Sequence, residues 1–137
     1  MSFEIINPAE LGVPRGWNNG MLAPRGGRVL FVAGQVGLGP DESGQPPEFA
    51  DQFAGALDKV LTVVRASGGE PGDIGRLTVY VTDLVVYRAT RGALSEVWRA
   101  RFGKHYPAMA LVEVKGLVDR AALVEIEATA VIDGDPA

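Results

Sequence analysis

Between Glu48 and Ala66 the large apolar residues fall at Phe49, Phe53, Leu57, Val60, Leu61 and Val64, which places them on one face of an α-helix. Gly68-Gly69 ends the pattern. A helix with a single apolar stripe has to be laid on a complementary surface, and the next segment offers one. In "DIGRLTVYVTDL" the residues Leu77, Val79 and Val81 alternate with Thr78, Tyr80 and Thr82, the period of a β-strand. A second helix is expected from about Val86 to Phe102, with Tyr87, Leu94, Val97, Trp98, Arg101 and Phe102 near one stripe and Gly103 ending it.

Strands flank this helix–strand–helix centre. In "PRGWNNGMLAPRGGRVLFVAGQVG" the turn residues Asn18-Asn19-Gly20 and Arg25-Gly26-Gly27 punctuate two strand-like runs, which predicts a hairpin. "GLGPDESGQPP" reads as a surface loop or the rim of a cleft, because it lacks the lysine and the following helix pattern of a phosphate loop. "AMALVEVKGL" and "ALVEIEATAVI" are the last two strands; "VDRA" between them is too short for a crossover, so antiparallel pairing is expected. The sum is an α+β fold, a mixed sheet of five or six strands with two helices on one face, in one domain spanning residues 1–137.

The sheet's other face is then uncovered. On the last strand Val124, Ile126, Ala128 and Ala130 suit the helices, whereas Leu123, Glu125, Glu127, Thr129 and Val131 point away. Met109, Leu111, Glu113 and Lys115 are assigned to the same uncovered side. Such a face is too apolar for open water and predicts a homo-oligomer.

Charge and residue types exclude several chemistries. Seventeen acidic residues against thirteen basic ones give −4, which repels polyanions. The basic helix residues Arg88, Arg91, Arg99, Arg101 and Lys104 therefore read as a solvated face, with no nucleic-acid partner expected. There is no cysteine, and His105 is the sole histidine, so thiol nucleophiles and His-based triads or metal clusters have nothing to build on. No signal-peptide pattern or apolar run of membrane-spanning length is visible, which leads to a cytoplasmic expectation with no membrane partner. Trp98 belongs to the apolar stripe and reads as core; Trp17 sits in a loop-like segment and reads as a cleft residue.

"VAGQVG", "TVYVTDL", "HYPAMALVEVKGL" and "VEIEATAV" occur in an order and spacing that resembles the Rid family, also called YjgF or L-PSP, from about Arg15 to Ile132. The resemblance implies a chorismate-mutase-like fold, a trimer whose sheets form a central barrel, and a small-molecule site at each subunit interface. It further implies hydrolysis of 2-imino or enamino acids to 2-oxo acids and ammonia without a cofactor. Carried over by position, it implies substrate contacts from Trp17, Ala33, Gly34, Gln35, Arg91, Met109, Ala110 and Leu111, with Glu125 near the hydrolytic water. The chain departs from the family pattern where it matters. Met109 stands in place of the arginine that would grip the substrate carboxylate, Trp17 in place of a tyrosine, and Ala33 in place of a serine.

Glu125 keeps two readings: a general base for water, or an interfacial acid paired with Arg120, Lys115 or Arg15 of a neighbour. Glu127 is read as structural. Two functions follow: a Rid-type hydrolase with altered preference, its substrate carboxylate absent or held by Arg15 or Arg91, or a non-catalytic trimer binding a small, rather apolar ligand.

Overall fold

A computed structural model describes residues 3–39 and 44–134. Part of the loop that starts at Gly37, residues 40–43, lies outside the described residues. The order of elements is β1 (Glu4–Ile6), a 3-10 turn (Ala9–Leu11), β2 (Gly20–Leu22), β3 (Arg28–Val36), α1 (Phe49–Ala66), a second 3-10 turn (Pro71–Asp73), β4 (Ile74–Val81), α2 (Leu84–Ala89), α3 (Arg91–Phe102), β5 (Ala108–Glu113) and β6 (Val124–Ile132).

The α+β layering and the mixed sheet agree with the sequence. The six strands, however, are divided: β1 and β2 form their own antiparallel pair, and the main sheet has four strands in the order β3-β6-β4-β5. Core and helices meet on one side. Leu57, Val60, Leu61 and Val64 of α1 are fully buried against Leu77, Val79 and Val81 of β4 and Val124, Ile126 and Ala130 of β6. Each such aliphatic side chain contributes about 1.5–3 kcal/mol on burial. This stripe therefore dominates the stability of the fold. Leu94, Trp98 and Phe102 add the α3 stripe, with the Trp98 and Phe102 rings stacked at 4.1 Å.

Four expectations need correcting. The predicted hairpin does not form: β2 pairs with the three-residue β1, which is too short to stand out in the sequence, while β3 runs antiparallel to β6. Nor do β5 and β6 pair. β4 lies between them, parallel to β5 and antiparallel to β6, and residues 114–123 carry the chain across it. The connection from β4 to β5 contains α2 and α3, and a helical crossover delivers the next strand as a parallel neighbour. The expected second helix is two helices. Asp83 caps α2 by accepting from the Val85 amide at 2.8 Å, and the Thr90 hydroxyl donates to the Val86 carbonyl at 2.6 Å where the chain breaks before α3.

The fourth correction concerns direction. Met109, Leu111 and Glu113 stand beside Leu77, Val79 and Val81, so they face the helices, and Ala110 and Val112 occupy the open side. Lys115 lies beyond the end of β5. The alternation on β6 is as expected: Val124, Ile126, Ala128 and Ala130 are buried, Glu125 is half-buried and Glu127 exposed.

Two glycines of "VAGQVG" have separate duties. Gly37 touches the α1 backbone at Gln52, where any Cβ would collide with a carbonyl. Gly34 belongs to the site described next.

Candidate functional site

Three segments enclose a cleft of about 620 Å³ on the helix side of the sheet. Val79 of β4 with Met109 and Leu111 of β5 makes an apolar floor. One wall comes from α2 and α3, and Arg15, Gly16 and Trp17 form the lip. The lip is held by asparagines. Asn18 donates from Nδ2 to the Tyr106 carbonyl at 2.6 Å, Asn7 donates to Asn18 Oδ1 at 2.8 Å, and Asn7 Oδ1 accepts from the Asn19 amide at 2.7 Å. Asn19 in turn accepts from the Trp17 indole at 3.2 Å, which orients the ring.

On α3 the residues Arg91, Ser95 and Arg99 recur every four positions and therefore share one stripe along the wall. The neighbouring stripe, Leu94 and Trp98, is buried. The Trp98 indole N–H donates to the His105 carbonyl at 3.1 Å, so that ring presents only carbon to the cleft. His105 itself is structural, its Nε2 donating to the Ile74 carbonyl at 2.8 Å.

The charged residues lining the cleft are Arg15, Arg91 and Arg99, all exposed, and no carboxylate is among them. Arg91 sits 5.7 Å from the centre of the Tyr87 ring, a cation–π arrangement. Arg101 on the same helix behaves differently: its guanidinium makes a forked contact with Asp58 of α1 at 2.7 and 3.1 Å and serves the fold. A smaller cavity of about 220 Å³ wraps the outer edge of β5, lined by Asn19, Arg76 and Ala110 and sharing Trp17 and Met109 with the cleft.

The open face of the sheet carries a second group. Register sets Tyr80 beside Glu125 and Thr78 beside Glu127. β3 slips its register between Val32 and Gln35, a bulge that puts Ala33 and Gly34 at the sheet edge. A Cβ built on Gly34 would lie 2.7 Å from Glu125 Oε2, so the carboxylate rests on bare backbone. Burial, the charge and hydrogen bonding of Glu127, and the charge of Glu125 hold the Tyr80 phenol above the ordinary tyrosine value, with Arg76 opposing weakly. Among the described residues neither Glu125 nor Glu127 has an intramolecular salt bridge, and no group of three His, Asp or Glu is placed to hold a metal.

The candidate residues thus separate. Trp17, Arg91, Met109 and Leu111 line the cleft, and Ala110 lines the edge cavity. Glu125 and Gly34 meet on the open face; Ala33 is exposed at the bulge, and Gln35 is half-buried with Nε2 3.3 Å from the Ala33 carbonyl. β6 is two strands from β5 and β3 is three, about 10 and 14 Å at the usual spacing. Trp17, Arg91, Met109 and Leu111 also lie on the opposite side of the sheet from Glu125, with Ala110 alone on the open side at the far edge, so the two groups do not meet on one small molecule within a protomer.

Sequence reasoning missed Arg99, Ser95 and Gln52. The first two were legible in the four-residue spacing from Arg91. Gln52 is the one buried polar side chain among the described residues: Nε2 donates to the Pro47 and Ala121 carbonyls at 2.9 and 3.1 Å, and Oε1 accepts from the Leu123 amide at 2.8 Å. It ties α1 to the start of the strand that carries Glu125.

A four-stranded mixed sheet with helices on one side and an acid beside a bulged glycine on the other places the chain among small α+β proteins of the Rid type. The family profile described as endoribonuclease L-PSP matches residues 15–132, and the chain belongs to this L-PSP, Rid or YjgF family. It is 35% identical over 105 residues to the 2-iminobutanoate/2-iminopropanoate deaminase of Escherichia coli, covering 77% of this chain and 80% of that one. A RutC family protein of Pyrococcus horikoshii is 32% identical over 110 residues, 79% of this chain and 82% of its own. Among solved structures, the Rid-family protein YyfB of Yersinia pestis superposes with a TM-score of 0.77 at 26% identity, covering 96% of this chain and all of that one. Escherichia coli TdcF with bound serine gives 0.63 at 31% identity, covering 88% and 91%.

Proposed function

We propose that the chain is a hydrolytic deaminase of 2-imino or enamino acids, active as a homotrimer whose sites lie between protomers. In the reaction water adds to the imine carbon, the C–N bond breaks, ammonia leaves, and a 2-oxo acid remains. The observation that carries this reading is the separation of the two groups onto opposite faces of the sheet: each group is half of a site, and a second copy supplies the other half. The apolar side chains on the open face give the copies a reason to associate. Val29 and Phe31 on β3 are 56% and 80% exposed, and Val112 on the opposite edge strand is 43% exposed, apolar surface that water disfavours. The relative named as an iminobutanoate/iminopropanoate deaminase supports the reaction class.

In this arrangement Glu125 is the general base. It is half-buried, its carboxylate is steered by contact with Gly34, and one proton from water is what it has to accept. Gly34, with Ala33 and Gln35 beside it, supplies the backbone against which substrate lies. Trp17, Arg91, Met109 and Leu111 supply the binding half from the neighbour, with Ala110 beside them at the edge of β5.

Met109 fits either this reading or a second one, a binding protein without turnover, because a thioether fills apolar space without fixing an anion. The resemblance implies an arginine at that position, and a charge-assisted contact contributes about 1.5–3 kcal/mol. Its loss lowers turnover of the smallest imino acids by about ten- to a hundred-fold. Ammonia release from 2-iminopropanoate, generated in situ by an amino-acid oxidase, is the test. A rate reduced by that factor yet above the uncatalysed one supports the hydrolase, and a rate equal to the uncatalysed one for small and large imino acids alike favours the binding protein.

A further inference from the structure

The cleft is larger, more cationic and more aromatic than a small imino acid requires. Its volume of about 620 Å³ sits in the middle of the range for sites that enclose ligands of drug size, about 300–1,000 Å³. A two- or three-carbon side chain would leave most of the floor formed by Val79, Met109 and Leu111 without contacts. The wall opposite carries charge of one sign only. Arg91 and Arg99 are two helical repeats apart, about 12 Å along α3, with the Ser95 hydroxyl between them. Among the described residues neither is ion-paired with a carboxylate, unlike Arg101. Low-lying apolar surface beneath unpaired guanidiniums focuses their field on whatever enters.

Aromatic surface completes the description. Trp17 is 44% exposed at the lip with its indole N–H already engaged by Asn19, and Tyr87 lies under the Arg91 guanidinium on the other side. Trp17 offers a ring face rather than a donor, and Tyr87 offers a ring and its phenol; aromatic surfaces of this kind pair favourably with another ring.

Resting on the deaminase reading, we infer that the cleft selects 2-imino acids, and the 2-oxo acids they yield, that carry a large planar side chain. Arg91 and Arg99 hold the carboxylate, and the ring lies between Trp17 and Tyr87 over the Met109–Leu111 floor. Met109 then acts as a specificity residue: it gives up the short-range carboxylate anchor and extends the apolar floor, and the anchor moves to α3.

Phenylpyruvate and pyruvate, titrated calorimetrically into the intact protein, separate the possibilities. Phenylpyruvate binds at least tenfold more tightly than pyruvate, and its neutral analogue phenylacetone binds at least tenfold more weakly than phenylpyruvate. Arg91→Gln and Arg99→Gln each weaken phenylpyruvate binding about tenfold, while Arg88→Gln on α2, outside the cleft, leaves it unchanged. Equal affinities for the two acids, absence of binding, or equal losses in the Arg88 variant and the cleft variants would overturn the inference. Binding is measured without turnover, so tight phenylpyruvate binding with no ammonia release from the matching imine removes the deaminase reading alone, whereas ammonia release with no preference for the ring removes this inference alone.

Discussion

The two faces of the main sheet are made from alternate residues of the same strands, yet they have opposite character. On the helix side Val79, Met109 and Leu111 floor a cleft ringed by Arg15, Arg91 and Arg99; on the open side the next residues along, Tyr80 and Ala110, share a surface with Glu125 and Glu127. Period two thus lets the same strands present a cationic cleft on one side and an acidic surface on the other. The two surfaces do not meet within one protomer, which is why the proposed function calls for a second copy. The cleft is fixed by helix packing and an asparagine network, whereas the acidic face depends on one bulge and one buried glutamine.

Changes to the acid should separate the faces most strongly. Glu125→Gln keeps the shape and removes the proton acceptor, so ammonia release falls by at least about a hundredfold. Binding of 2-oxo acids changes little, and calorimetry on the same sample checks that half. Gln52→Leu acts on the link between α1 and β6. It leaves the Leu123 amide and two carbonyls without their partner and destabilises the fold by about 1–3 kcal/mol, read from urea unfolding. Gly34→Ala is milder. The new Cβ would have to displace the Glu125 carboxylate, which can swing away, so turnover falls about tenfold or 1.4 kcal/mol with an unchanged melting temperature. Full activity in that variant would break the assignment of Gly34.

The smallest effect is spectroscopic. Tyr80 keeps its proton above its ordinary value of 10.0 because of burial first and Glu127 second. The stability associated with this raised value is complete below pH 10 and is lost as pH rises through the folded-state value. Glu127→Gln brings the phenol down, visible as an earlier rise in phenolate absorbance. An unchanged titration would mean that Glu127 does not face Tyr80.

Both helical stripes and the alternation of β4 and β6 were legible because local periodicity reports burial directly. Strand order was not. The short run after Leu117 looked like a turn, but the two helices between β4 and β5 decided which strands pair. That mistake also turned Met109 and Leu111 to the wrong face, since facing follows from the neighbour rather than from the strand alone. The sequence named candidate residues one by one, and their division between two surfaces was illegible in it. Gly34 and Glu125 lie far apart in the sequence, and only the register of β3 on β6 brings them together. Arg99 was hidden among other basic residues, although its spacing from Arg91 and Ser95 gives it a common face with them.

The claim that two copies complete each site is tested most directly by mixing subunits. One variant, Glu125→Gln, damages only the acidic half; another, Trp17→Ala with Arg91→Gln, damages only the cleft. Each alone releases little ammonia from a 2-imino acid generated in situ. Co-expressed in equal amounts and purified together, they should recover about a quarter of the wild-type rate, the share of neighbouring pairs in a randomly mixed ring that join an intact acid to an intact cleft. A mixture no faster than its components would mean that both halves act within one protomer, and would contradict the account.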